Sequence, residues 1–110
     1  MITGRIVLSK QDYILELSVS GHSVQRGRGS IPCAAVSVLT GTFARLLEQE
    51  KGIEIQGGAE RPGSLVLKTV KVIPEKQEKY LGFCRFLLEG LLETREEFPG
   101  EFLLEIITRD

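Results

Sequence analysis

The hydrophobic and polar positions along the chain predict seven secondary-structure elements. Strand-like apolar segments cover residues 2–8, 12–20, 53–57, 64–73 and 102–108. Apolar residues recur every three or four positions over residues 31–50 and 75–97, which predicts two helices. The resulting order ββαββαβ predicts an α+β fold, a two-layer domain with two helices packed on a mixed β-sheet. Residues 1–110 are expected to form a single domain, because a chain of this length supports one hydrophobic core.

The second predicted strand has two different faces. One face carries Tyr13, Leu15, Leu17 and Val19, and the other carries Ile14, Glu16, Ser18 and Ser20. Since successive side chains of a strand point to opposite sides, the apolar face is expected to lie against the helices.

The predicted helix 75–97 carries more apolar residues than one sheet face needs. Its main stripe consists of Leu81, Cys84, Leu88 and Leu91/Leu92, and the stripe is widened by Phe83, Phe86 and Leu87. Two interpretations stay open. The helix is either a thick core helix, or it has a second apolar face that packs against another copy of the protein.

Composition and charge exclude several classes of protein. The chain carries 14 Lys and Arg against 15 Asp and Glu, a net charge of −1, which argues against a general nucleic-acid binder. One His and two Cys are fewer than the roughly four ligands of a structural zinc ion, so no metal or other cofactor is expected. No secretory signal pattern follows Met1, and no run approaches the roughly 20 apolar residues of a membrane span. A reducing cytoplasm is therefore expected, in which both cysteines remain thiols.

The scarce reactive residues lie at the two ends of a glycine-rich segment, residues 21–30. His22 follows Gly21 at the end of the second predicted strand, and Cys33 lies in the first turn of the first predicted helix. The unpaired N–H groups and the dipole of a helix start favour an anion, so this position favours the thiolate. Cys84 lies on the apolar stripe of the second helix, where burial is expected to raise the pKa of the thiol and make it unreactive.

Cys33 and His22 are therefore a candidate catalytic dyad for acyl transfer. A lone His at a strand end is usually a solvated loop residue, and the position of Cys33 is what makes His22 a candidate. The imidazole would take the thiol proton and then protonate the leaving amine. Ser30 is the candidate N-cap of the helix. Ser37, one turn after Cys33, is expected either to form a hydrogen bond in the site or to bond back to the Cys33 carbonyl.

Two arginines lie in the glycine-rich segment between the candidate dyad residues. Arg26 and Arg28 are either solvated or contact a bound peptide, and contact with RNA is the alternative. The glycines of the segment would allow it to close over a peptide.

The sequence around these residues resembles the ribosomal-processing cysteine protease (Prp) family. The family pattern is a Gly-His pair, then a loop that ends in Gly-x-Asp-Ile-Val-Cys-Ala-Ala-x-Ser. Here the matching runs are Gly21-His22 and Cys33-Ala34-Ala35-Val36-Ser37. The length, the start of the chain and the element order extend the resemblance over essentially the whole sequence.

The resemblance implies a small cytoplasmic homodimer that cuts a short N-terminal extension from large-subunit ribosomal protein number twenty-seven. By position, His22 matches the catalytic His and Cys33 matches the nucleophile. Gly21 and Ser37 match the flanking residues that shape the site. The expected partners are thus a precursor peptide and a second copy, which is expected to bind through helix 75–97. Neither a membrane nor a nucleic acid is expected as a direct partner.

Two positions depart from the family pattern. Ser30 stands where the family has Asp, and Pro32 stands where it has Val. Loss of the carboxylate bears on the rate or the sequence preference of cleavage. The alternative function is a non-catalytic, ribosome-associated module that binds a peptide or RNA, in which Cys33 would have no enhanced reactivity.

Overall fold

A computed structural model describes residues 1–21, 31–61 and 64–109. Its elements are β1 (Ile2–Leu8), β2 (Ile14–Ser20), α1 (Ile31–Gln49), β3 (Ile53–Arg61), β4 (Ser64–Val72), α2 (Gln77–Glu97) and β5 (Phe102–Thr108). This order is the predicted ββαββαβ, so the α+β fold class is confirmed.

The five strands form one mixed sheet in the order β3-β4-β2-β1-β5. β1 pairs with β5 in parallel, and the other neighbouring strands pair in antiparallel fashion. The register places Ile6 of β1 beside Leu17 of β2, and Leu17 beside Leu67 of β4, so these buried residues share one face. Both helices contribute to the same hydrophobic cluster and therefore pack on this face of the sheet.

The predicted apolar face of β2 is wrong at its start. The pairing of β1 with β2 shifts between Val7 and Leu8, so that Leu15 is an extra residue opposite β1. A bulge of this kind reverses the alternation of side chains along the strand. Ile14 is consequently fully buried on the core side with Leu17, whereas Leu15 is only half-buried.

Two predicted element boundaries also differ from the structure. β3 runs to Arg61 rather than to Gly57, because Arg61 still pairs with Ser64 of β4. The positive φ angles of Gly57 (92°) and Gly58 (154°) accompany a register shift between Gly58 and Arg61, after which the pairing resumes. α2 begins at Gln77 rather than at residue 75, because Pro74–Lys76 form a separate turn of 3-10 helix.

The core stripe of α2 differs from the predicted stripe. The buried residues of this helix are Tyr80, Cys84, Leu87, Leu91 and Thr94. Leu81 and Leu88 are only half-buried, and Phe86 is 73% exposed. Phe86 therefore lies outside the core, and packing of α2 against another copy stays a prediction.

No membrane span was expected from the sequence, but α1 is long and apolar enough to cross a membrane, with a mean hydropathy of 1.3. This is weak evidence for a span, because core helices of soluble proteins meet the same criterion. One side of α1 lies in the core, where Val36, Phe43 and Leu47 are buried.

Glu50 connects the end of α1 to the start of α2. Its carboxylate accepts hydrogen bonds from Lys76 Nζ and Lys79 Nζ, each at 2.9 Å. These two bonds hold the pKa of Glu50 below its usual value. The interaction thus links the residue that follows α1 to Lys76 and to Lys79 at the beginning of α2.

Candidate active site

The first turn of α1 carries Cys33. Pro32 precedes it without loss of a helical hydrogen bond, since the first N–H groups of a helix have no partner within the helix. Pro32 is buried, whereas Cys33 is half-buried and packs against the hydrophobic cluster. Cys33 is not part of a disulfide. The prediction that Cys33 lies in the first turn of a helix is confirmed.

Gly21 ends β2 at a position that only glycine tolerates. Its φ angle is +99°, and a Cβ atom built on it would lie 2.2 Å from the carbonyl oxygen of Met1. Any other residue here would clash with the backbone at the start of β1. Gly21 therefore fixes where the chain leaves the sheet on its way to the candidate site.

Four predicted site residues lie outside the described residues. They are His22, Arg26, Arg28 and Ser30. The dyad of His22 with Cys33 and the N-cap by Ser30 stay predictions from the sequence.

Ser37 lies on α1 one turn after Cys33, with an exposed side chain. The back-bonding that is one alternative for Ser37 occurs at Thr40 and Thr94, where each hydroxyl donates to the carbonyl four residues earlier, at 2.7 and 2.8 Å. The role of Ser37 in the site stays a prediction.

Cys84 has the structural role that the sequence predicted. It is completely buried, and its Sγ accepts a hydrogen bond from the backbone N–H of Ile14 at 3.4 Å. Burial raises the pKa of the Cys84 thiol to about 11. Of the two cysteines, Cys33 is therefore the candidate nucleophile.

No group of three or more His, Cys, Asp and Glu side chains that could hold a metal ion occurs within residues 1–21, 31–61 and 64–109. In this part of the chain the candidate chemistry is that of the thiol.

An apolar surface between α1 and α2 was only partly anticipated. It includes Val38, which is 65% exposed, together with Leu46, Phe83 and Phe86. The sequence signal for this surface is the wide apolar stripe of α2, and the contribution of Val38 and Leu46 from α1 was not predicted.

These features define an α+β domain with a half-buried thiol at a helix start, an arrangement typical of thiol-dependent hydrolases. The sequence profile described as cysteine protease Prp matches residues 1–102, and the chain belongs to this cysteine protease family. A comparison with curated proteins gave no match.

Solved structures share the same fold. The essential ribosomal processing protease Prp from S. aureus, in complex with a covalently linked product peptide, aligns with a TM-score of 0.79 at 16% identity, over 96% of this chain and 99% of that chain. SMU.848 from Streptococcus mutans aligns with a TM-score of 0.77 at 22% identity, over 99% of both chains. The S. aureus protease in complex with a substrate peptide gives a TM-score of 0.77 at 16% identity, over 96% of this chain and 99% of that chain. At these identities the similarity concerns the fold.

Proposed function

We propose that the chain is a cysteine endopeptidase that removes the N-terminal extension of large-subunit ribosomal protein twenty-seven in the cytoplasm. The observation that carries the proposal is the position of Cys33, a half-buried thiol in the first turn of a helix in a member of the cysteine protease Prp family. The structural relatives that are ribosomal processing proteases with bound peptides support a peptide substrate. Residues 1–110 would act as one catalytic domain.

Cleavage would proceed through an acyl-enzyme. The Cys33 thiolate attacks the carbonyl carbon of the scissile bond, the C–N bond breaks, and the departing amine takes a proton from His22. Water then attacks the thioester while His22 accepts its proton, which releases the new carboxyl terminus and restores the Cys33 thiolate beside a protonated His22. The unpaired N–H groups of the first turn of α1 are natural donors for the oxyanion.

Incubation of the purified protein with the N-terminal peptide of the precursor tests this function. Mass spectrometry of the products should show one cut, and Cys33→Ala should abolish it without changing the circular dichroism spectrum. Cys84→Ala is the matched control, because it also removes a thiol but should retain cleavage at a temperature where the variant is folded. Cleavage by Cys33→Ala at the wild-type rate would refute the assignment.

We also propose that two copies associate through α2. The supporting observation is the apolar patch between the helices, defined as Val38, Leu46, Phe83 and Phe86, because a monomer rarely exposes such a contiguous surface. The wild-type protein should sediment as a dimer at micromolar concentration, and Leu46→Arg should sediment as a monomer.

The control for this variant is Val66→Arg. Val66 is 58% exposed and lies on the sheet face opposite the helices, since it pairs with Ser18 rather than with the core residues of β2. This variant should remain a dimer. A monomeric wild-type protein would contradict the proposal.

A further inference from the structure

A groove with an acidic rim lies beside the start of α1. It has a volume of about 500 Å³, and its apolar walls include Ile31, Ala35, Leu39 and Phe98. Ile31 is 70% exposed at the mouth of the groove, so the groove opens next to the turn that carries Cys33. Phe86 lies where this groove meets the apolar patch.

The charged residues that line this groove in the described part of the chain are three carboxylates. Glu89, Glu93 and Glu97 are spaced by four residues and therefore form one row along α2. None of the three forms an ion pair with a residue in the ranges 1–21, 31–61 and 64–109. Like charges one turn apart slightly destabilise a helix, and a cationic occupant would relieve this repulsion.

The groove and the thiol lie on different flanks of the same helix start. Ile31 and Ala35 are each two residues from Cys33, which places them about 200° away around the helix axis. A helix is about 10–12 Å wide, so the path around half of it is about 16–19 Å, and an extended peptide that advances about 3.3 Å per residue needs about five to six residues to lead from the thiol to the groove.

We propose that this acidic groove binds a lysine- and arginine-bearing segment of the polypeptide substrate, the segment that follows the cleavage site. The inference rests on the proposed function. A mature ribosomal protein must bind RNA, and neutralising RNA phosphates requires Lys and Arg, so the segment after the cut is cationic. Its aliphatic lysine and arginine stems would pack on the apolar walls while their charges reach the carboxylates.

A second copy is disfavoured as the occupant of this groove. Two-fold packing of α2 at Glu89–Glu97 would bring two acidic rows together and would bury like charges against each other. No carboxylate is among the residues that define the apolar patch, so two-fold packing there brings no like charges together. The two surfaces thus suit different partners, with Phe86 at their boundary.

Peptide binding without turnover tests the groove. The protein carries Cys33→Ala, and fluorescence anisotropy measures its Kd for two labelled peptides. One peptide contains the extension of the precursor and the segment that follows it, and the other has Gln at every Lys and Arg of that peptide. The groove variant adds Glu89→Gln, Glu93→Gln and Glu97→Gln. The matched control adds Glu54→Gln, Glu96→Gln and Glu101→Gln, which removes the same charge from exposed positions outside the groove.

The cationic peptide should bind the groove variant about tenfold more weakly than the parent protein, the sum expected of three exposed ion pairs. The control variant should bind it as the parent does, and added salt should weaken the parent far more than the groove variant. Equal binding by the groove and control variants, or equal binding of both peptides by the parent, would overturn the proposal. A change of oligomeric state in the groove variant would also overturn it, because the groove would then be an interface between copies.

Failure of the groove and failure of the proposed function give different results. If the wild-type protein cuts neither peptide while binding still depends on the three carboxylates, the protease assignment is wrong and the binding role of the groove is supported. If cleavage occurs and binding is independent of charge, the binding role of the groove is wrong and the protease assignment is supported.

Discussion

The backbone amide of Ile14 donates a hydrogen bond to Cys84 Sγ across 3.4 Å, between the start of β2 and the middle of α2. Ile14 and Cys84 are both fully buried. The bulge at Leu15 turns Ile14 toward α2, so this contact depends on an irregularity of the sheet. It explains why one of the two thiols of the chain is structural.

The two thiols should differ in reactivity toward iodoacetamide. In the native protein at about pH 8, only Cys33 should be alkylated, because the pKa of Cys84 near 11 leaves about one molecule in a thousand as the thiolate and no solvent reaches it. Mass spectrometry should find one adduct in native protein and two in denaturant. A Cys84 adduct in the folded protein would contradict the burial described above.

Cys84 should also make the protein less stable at alkaline pH. The folded state holds the thiol proton up to a pKa of about 11, whereas the unfolded state releases it near the ordinary value of 9.0. The unfolded state therefore binds fewer protons in this window, and the free energy of unfolding falls as pH rises from about 9 to 11.

The size of this decrease follows from the difference in pKa. About two units correspond to a loss of about 2–3 kcal/mol, which is absent below pH 9. Urea unfolding of the wild-type protein and of Cys84→Val measures it, because the difference between the two curves isolates the thiol. A difference that does not change between pH 7 and 11 would show that Cys84 titrates equally in both states.

Removal of the Tyr80 hydroxyl should destabilise the fold. This hydroxyl is hydrogen-bonded to Thr69 Oγ1 at 2.6 Å and donates to the carbonyl of Ile14, within a side chain that is 1% exposed. Tyr80→Phe removes both hydrogen bonds and leaves the Ile14 carbonyl without this buried donor, which should lower the free energy of unfolding by about 1–3 kcal/mol.

The control for this variant is the tyrosine that stacks on it. Tyr13 lies with its ring centroid 6.1 Å from that of Tyr80, and its hydroxyl has no hydrogen-bond partner in the part of the chain that the structure describes. Tyr13→Phe should therefore change stability little, as measured by denaturant unfolding. Equal effects of the two substitutions would show that the buried hydroxyl of Tyr80 contributes no more to stability than the hydroxyl of Tyr13.

Gly21→Ala should damage both the fold and the site. A positive φ of 99° and the approach to the Met1 carbonyl oxygen forbid a Cβ atom, so the end of β2 must shift. We expect a loss of at least about 1–2 kcal/mol and loss of cleavage of the precursor peptide. Gly82→Ala is the matched control, because nothing lies within 4 Å of a Cβ atom there and the helix should gain up to about 1 kcal/mol.

Much of the fold follows from local patterns in the sequence. The order of elements, the bounds of β1 and β5 and the first turn of α1 could be predicted because periodicity, proline positions and glycine positions act over a few residues. The contrast between Cys33 and Cys84 could be predicted for the same reason, since one lies at a helix start and the other within an apolar stripe.

Other features depend on contacts between distant parts of the chain. The pairing of β1 with β2 creates the bulge that buries Ile14, and no local pattern marks it. Tyr80 belongs to the core because Thr69 and Ile14 satisfy its hydroxyl, although tyrosine at that position resembles a surface residue. The packing of the two helices on one face of the sheet leaves Phe86 exposed and brings Ile31 to the same groove as the row of carboxylates on α2. Local pattern thus determines which segments form elements, whereas the side that each residue presents depends on register and packing, which arise only when those elements meet.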